Sequence, residues 1–336
     1  MTGRCTAGPR RDSAFVAPQS NSFGHDISVV VITRNRCREA AHTVERLTVL
    51  PERPAVIVVD NGSTDGTSTA LRDAFPEVRV IPLESNRGAV ARTIGVEHAA
   101  TPFVAFSDDD SWWQPGALER ASAALASFPR LGLVAGRVLV GSDQRVDPTC
   151  VAMEHSPLDV GTDLPGPAVL GFLACGAVVR RDAYLECGGF SPILGFGGEE
   201  GFLALELVRR GWFLSYLSDV VAHHHPSLRR DERARRRRLT RNALWEAWLR
   251  RPWPYGIRAA FRVAQESISD RSRFLGLMDA VAGLPFVIRE RAAVPPHIEG
   301  WLRALEAQRA QEELKRCVML PRRGVRRRAR RARRPR

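Results

Sequence analysis

The sequence predicts a doubly wound α/β sheet, mostly parallel, with helices on both faces and a helical C-terminal extension. Three observations carry this reading. Apolar runs alternate with helical stretches four times within about 80 residues, the signature of βαβ units. The runs are continuously apolar rather than alternating, as strands buried on both faces require. After Pro226 the text changes to Arg-rich and Trp-containing helical stretches.

The elements follow in order. Ile27–Ile32 is the first strand and Ala55–Val59 the second, with a helix over Arg36–Leu50 between them. The helical stretch Asp65–Phe75 leads to a third strand at Val78–Leu83, and Ala89–Ala99 leads to a fourth at Phe103–Phe106. Beyond Pro115 come a helix to about Phe128, a strand at Leu131–Val140, a polar loop over Gly141–Pro167, a strand at Phe172–Val179 and a turn at Cys187–Phe190. Glu199–Arg210 reads as a helix stopped by Gly211, and Phe213–Leu217 as a short strand. The expected division is an N-terminal arm without fixed structure (1–25), an α/β domain (26–227), a basic and amphipathic helical extension (228–320) and an Arg-rich tail (321–336).

Composition bounds the function. With 336 residues, 44% hydrophobic and 26% charged, the chain is neither collagen-like, low-complexity nor wholly disordered. The formal charge is +13, but Pro321–Arg336 holds ten Arg and no acid, and without it the balance is +3. The basicity therefore belongs mainly to an appendage. Six scattered Cys without a C-x-x-C pair point to a reduced, cytoplasmic setting. The first 25 residues lack the apolar core of a signal peptide, and no apolar run reaches the roughly 20 residues of a membrane span.

Ligands of parallel sheets sit at the carboxyl ends of the strands, so the loops after strands one, two and four come first. Thr33-Arg-Asn-Arg36 follows the first strand and Asp60-Asn-Gly-Ser-Thr-Asp-Gly66 the second. Turn chemistry accounts for Gly62, Ser63 and Gly66. It does not account for Asp60, an acid at the end of a buried strand, whose desolvation must be offset by hydrogen-bond donors from the chain or from a ligand such as a nucleobase. The fourth strand ends in Ser107-Asp-Asp-Asp110. Three successive carboxylates repel one another unless a cation compensates, and hard oxygen ligands select Mg²⁺ or Mn²⁺. Strand alternation would aim Asp108 and Asp110 into one cleft and Asp109 away. A solvated acidic turn capping a helix reads the same text.

Gly195-Phe-Gly-Gly-Glu-Glu-Gly201 opens a helix. Its glycines suit a loop that closes over a ligand, and a carboxylate there can serve as general base; acids in a first helical turn are also favoured by the macrodipole alone. His223-His-His225 follows as a nitrogen source for a metal, or as a polar strand end.

In this order and spacing, these segments resemble the family 2 glycosyltransferases of GT-A fold, over roughly Ile27–Ser227. The matching text is Val30–Asn35, Val58–Asp65, Asn86-Arg-Gly with Ala91-Arg92, Phe106–Asp110 with Trp113-x-Pro115, Gly188–Phe190, and Gly198-Glu-Glu200 with Arg209 and Gly211. The resemblance implies transfer of a hexosyl or deoxyhexosyl group from a nucleotide-diphosphate sugar, with inversion, to a hydroxyl of a glycan, glycolipid or cell-envelope polysaccharide precursor. It implies that Thr33 and Asp60 contact base and ribose and that Arg92 lies near the diphosphate. Arg34, Asn35, Asn61, Gly62 and Asp109 complete the implied nucleotide-sugar set. Asp108 and Asp110 would be the ends of a DxD motif, with Asp110 on Mn²⁺ or Mg²⁺ and Asp108 on ribose or metal-bound water. Glu200, or its neighbour Glu199, would be the catalytic base, and His224 would complete the metal shell. The sequence departs from the family pattern at Ser107, at Thr93 and in carrying Glu at the base position.

Arg229–Arg241 and the helical text Asn242–Leu249, with the Arg tail, read as a solvated basic face or as a peripheral contact with anionic membrane for a lipid-linked acceptor. Two rival functions stand beside the transferase. A nucleotidyltransferase would carry a Gly-rich basic phosphate loop after the first strand, which Thr33–Arg36 is not. A nucleic-acid-binding protein would use the tail but leave the acidic cleft unexplained.

Overall fold

Strand β1, Ile27–Thr33, is buried along its whole length, and the fold is built outward from it in a computed structural model that describes residues 26–226 and 231–319, with side chains to residue 311. The N-terminal arm and the Arg-rich tail lie outside the described residues. Helix α1, Cys37–Thr48, turns Ala40, Val44 and Leu47 inward at helical spacing. There follow β2 (Ala55–Asp60), α2 (Thr67–Ala74), β3 (Arg79–Pro82), α3 (Val90–Glu97) and β4 (Phe103–Asp108). The order β3-β2-β1-β4 is parallel throughout, with Thr33 beside Asp60 and Ile32 beside Asp108. Alternate residues of β1 feed two cores: Val30 and Ile32 join Val59 and Phe106 on one face, while Val29 and Val31 join Leu47 and Val58 on the other.

The second half continues the same sheet in a mixed sense. Its elements are β5 (Ser111–Trp113), α4 (Ala117–Ser127), β6 (Leu131–Val140), β7 (Arg145–Val146), α5 (Pro148–Glu154), β8 (Ala177–Arg180), α6 (Arg181–Glu186), α7 (Glu199–Arg209) and β9 (Phe213–His224). The nine strands run β3-β2-β1-β4-β8-β6-β9-β5, with β7 on β6. β8 is antiparallel to both neighbours and β5 is antiparallel to β9. The mostly parallel expectation therefore describes β3 to β4 and the β6–β9 pair, and not the rest. Only the turn Asp109-Asp110 separates β4 from β5, yet β5 pairs with β9 at the far edge of the sheet.

The extension comprises α8 (Glu232–Arg250), α9 (Trp253–Ser267), α10 (Arg271–Ala282), α11 (Leu284–Glu290) and α12 (Pro296–Met319). Asp231 and Asp270 cap α8 and α10 through their side chains. A third core joins Leu194 and Phe202 of the α/β part to Leu244, Trp245 and Trp248 of α8. Polar ties reinforce it. Glu206 of α7 accepts from Arg209 at 2.9 Å, from Arg210 at 3.0 Å and from the buried Arg250 of α8. Glu206→Ala strands Arg250 without a counter-charge, so the unfolding free energy in a urea titration should fall by about 3–5 kcal/mol. No described helix is long and apolar enough to cross a membrane.

Candidate active site

A cleft of about 1270 Å³ opens at the carboxyl edge of β1 and β4 and runs between that edge, the start of α7, and α8 and α12. Its floor is the acidic turn. The pleat stops at Asp108, and Asp109 and Asp110 leave the strand as a turn, so alternation no longer sorts the three carboxylates. Asp109 was expected to face away. Instead its Oδ2 accepts from Thr33 Oγ1 at 3.0 Å and its Oδ1 from Arg36 Nη1 at 2.6 Å, and it stands on the cleft wall with its neighbours. Arg36 also donates to Asp110 Oδ2 at 2.9 Å. Arg92, buried on α3, pairs with Asp108.

These contacts set the electrostatics. Burial and the flanking carboxylates push Asp109 up to about 7, against the pull of Arg36. Burial also opposes ionisation of Asp110, but hydrogen bonds from His224 and Arg36 overcome it and hold that carboxyl below its usual range. His224 reaches the acids because β9 is long. It lies opposite Ser111 in the β5–β9 pairing, with Nε2 3.3 Å from Asp110 Oδ1. His223 and His225 turn the other way and stack on Trp112, at centroid distances of 6.0 and 4.9 Å. The short strand expected to stop at Leu217 is thus a twelve-residue strand, and its extra length delivers the imidazole.

One more group joins them. Cys175, on a 3-10 turn before β8, has its Sγ among ligand atoms of Asp108 and His224 that all lie within 4.8 Å of one another. Burial drives its thiol well above the normal range; the hard oxygen and imidazole donors beside it are the ones that fit Mn²⁺ or Mg²⁺. Nothing in the Cys spacing marks Cys175; the pairing of β4 with β8 brings it there.

The second loop has a structural employment. Asp60 Oδ1 accepts from the Ser63 N–H at 2.9 Å and Oδ2 from the Ser68 hydroxyl, so the chain itself supplies the donors that its burial demanded. Asn61 clamps the Arg87-Gly88 turn, accepting from the Arg87 N–H at 2.6 Å and donating to the Gly88 carbonyl at 3.0 Å. Gly62, at φ +78°, has no room for a side chain, since a Cβ would sit 2.8 Å from the Ser85 backbone. Asn35 bridges to the same loop through the Ser63 hydroxyl and the Thr64 N–H, both at 2.8 Å. Thr33, Arg34 and Asn61 line the cleft; Asn35, Asp60 and Gly62 do not.

Opposite the acids, Gly198 at φ +89° starts α7 and presents Glu199 and Glu200. Glu199 is buried and accepts from the Gly197 N–H. Glu200 lines the cleft, and burial together with the Glu199 carboxylate raises it well above the usual carboxylate range. Both acids stabilise the charge on Arg92, whose Nε and Nη1 are nonetheless buried with no hydrogen-bond partner.

The sequence model of glycosyl transferase family 2 matches residues 28–188. This chain carries that match over a little under half of its length. It is 28% identical over 233 residues to an N-acetylglucosaminyl-diphospho-decaprenol L-rhamnosyltransferase of Mycobacterium tuberculosis, covering 59% of this chain and 76% of the relative. It is 31% identical over 232 residues to a pre-mycofactocin glycosyltransferase of the same organism, covering 66% of this chain and 48% of that protein. In structure it resembles the mannosyltransferase PcManGT from Pyrobaculum calidifontis, solved with GDP-Man and Mn²⁺ (TM-score 0.51, 20% identity, 84% of this chain and 86% of that one). It also resembles GalNAc-T7, solved with UDP, GalNAc and Mn²⁺ (TM-score 0.52, 14% identity, 69% of this chain and 49% of that one). The fold is GT-A, and the protein is a glycosyltransferase.

Two wall residues of this glycosyltransferase besides Cys175 escaped sequence reading. Arg36 sat in a quoted loop, but its grip on two carboxylates 73 and 74 positions away is a tertiary fact. Glu246 of α8 lines the cleft beside Gly201, and burial, against the pull of Arg251 and Arg309, raises it to about 7. Its place in a helical stretch read as a basic or amphipathic surface gave no sign of this.

Proposed function

We propose that the cleft moves a sugar from a nucleotide diphosphate to an acceptor hydroxyl, with inversion at the anomeric carbon. The observation that carries this reading is Arg92: a buried guanidinium with two unpartnered N–H groups, set between Asp108 and the Glu199-Glu200 pair, suits an anionic group entering from the cleft. In the reaction the acceptor oxygen bonds to the anomeric carbon as the bond to the diphosphate oxygen breaks. Glu200 takes the hydroxyl proton, and its raised pKa makes it a stronger base than an ordinary carboxylate. Arg92 receives charge on the departing diphosphate. Asp108, Asp110 and His224 would hold a divalent cation, Mn²⁺ or Mg²⁺, whose charge neutralises that leaving group. Thr33, Arg34 and Asn61 would border the nucleoside, with Asp60 and Asn35 fixing their loops.

At the far end of the cleft, Arg235 and Arg238 of α8 line the wall and have no acidic partner among the described residues. They suit an acceptor whose sugar is carried on phosphate, in keeping with the lipid diphosphate named for the mycobacterial rhamnosyltransferase. A panel of nucleotide sugars, assayed for hydrolysis and transfer with and without Mn²⁺, tests the reading. Release of a nucleoside diphosphate from one donor, stimulated by the ion, is the expected result. Release of pyrophosphate from a nucleoside triphosphate would replace it with a nucleotidyltransferase.

A further inference from the structure

Of the fourteen large apolar side chains that stand exposed among the described residues, eight lie between Trp253 and Ile288. They are ordered. Trp253, Ile257 and Phe261 recur every fourth residue on α9, and Ile268 prolongs the stripe past the helix end. Phe274, Met278 and Val281 make a second stripe on α10, and Ile288 stands on α11. Exposure reaches 69% at Phe261 and 88% at Ile268. These helices already have an inward face: Ala260 and Val263 of α9 and Ala280 of α10 pack on the core around Trp245 and Trp248. The stripes are therefore surplus to folding, and monomeric proteins rarely leave apolar patches of this kind without a partner.

Charge identifies the partner. Every acid from Trp253 to Arg291 is engaged: Glu266 with Arg273, Asp270 with Arg236, Asp279 with Arg237 and Glu290 with Arg289. Arg258, Arg262 and Arg271, beside the stripes, have no acidic partner among the described residues. Apolar side chains flanked by uncompensated cations complement the interface of an anionic bilayer. The sequence placed membrane contact elsewhere, on the basic run of α8, its Trp-containing end and the tail. In the structure Arg236 and Arg237 are committed to α10, while Trp245 and Trp248 are buried and donate to the Ala280 and Gly256 carbonyls.

We infer that the α9 and α10 stripes seat in the surface of an anionic membrane, with the apolar side chains below the headgroups and Arg258, Arg262 and Arg271 at the lipid phosphates. This rests on the exposure pattern and not on the sugar-transfer reading. The test is flotation of the full chain with phosphatidylcholine–phosphatidylglycerol vesicles in low salt and in 1 M salt, where the Debye length is about 3 Å and purely ionic attraction is screened. The wild type should remain bound in 1 M salt. The Ile257→Glu/Phe261→Glu variant should lose at least about tenfold in partitioning there. Val49→Glu, at an exposed apolar site of 75% exposure outside the two stripes, should not differ from wild type. Complete release of the wild type by 1 M salt would overturn the inference, as would equal binding by the double variant. So would a wild-type dimer in light scattering that the double variant dissolves, which would make the face a contact between copies. Donor hydrolysis measured alongside reads the cleft separately, and the double variant should retain it.

Discussion

Glu200→Gln should lower kcat by about 10²–10⁴-fold, the range a general base commands, with the chain folded and the donor KM little changed. Gln keeps the shape at the start of α7 and removes only the ability to take a proton. The pH profile makes the assignment specific. A base works ionised, and burial beside Glu199 raises the pKa of Glu200, so the ionised form is lost on acidification earlier than for a free carboxylate. The acid limb of kcat/KM should therefore lie above the usual carboxylate range, with activity rising as pH rises through it, and the variant should lack that limb. Glu199→Gln discriminates between the two acids. Glu199 is spent on the Gly197 N–H, and its loss should change KM through the loop more than it changes the limb. A limb that persists in Glu200→Gln and disappears in Glu199→Gln would exchange the roles.

Asp110→Asn is the second large effect. The side chain keeps its size and its carbonyl oxygen but loses the charge that faces both His224 and Arg36. Mn²⁺ affinity, read by water-proton relaxation without any substrate, should fall by at least about 10–100-fold, and transfer at a fixed Mn²⁺ level should fall with it. Arg36 retains Asp109, so thermal unfolding should move little. An unchanged Mn²⁺ titration would remove Asp110 from the ion site and leave Asp108 with His224 and Cys175 as the remaining donors.

What could be read in advance was local. Continuous apolar runs with short periodic helices between them place β1, β2 and β4 within a residue or two, because burial on both faces leaves no polar alternation to confuse them; β3, an edge strand with exposed ends, lies within a residue of its expected place. The loops at their carboxyl ends followed from topology. The unread parts are those that depend on distant pairing. β9 looked finished at Leu217 because Ser218 and Asp219 interrupt it; in the sheet the register jumps from Gly136–Leu217 to Arg137–Val221, so the polar residues bulge out and the strand resumes. His224 lies on the resumed stretch. Arg36, Cys175 and Glu246 reach the cleft only through the fold. The stripes of α9 and α10 were hidden because those helices are apolar on two faces, and periodicity alone assigns such a face to the core.

The hydrogen bonds at the base of the glycine-rich loop before α7 have a practical bearing. Asn242 of α8 donates to the carbonyls of Leu194 at 2.9 Å and Gly197 at 2.6 Å, and Arg241 adds a second grip on Leu194 at 2.9 Å. The segment that presents Glu199 and Glu200 is thus held from a helix well beyond the stretch recognisable as family 2. A shortened enzyme trimmed to the α/β portion would keep the β1–β4 edge intact yet let Glu199 and Glu200 swing free; any minimal version must carry α8 with it.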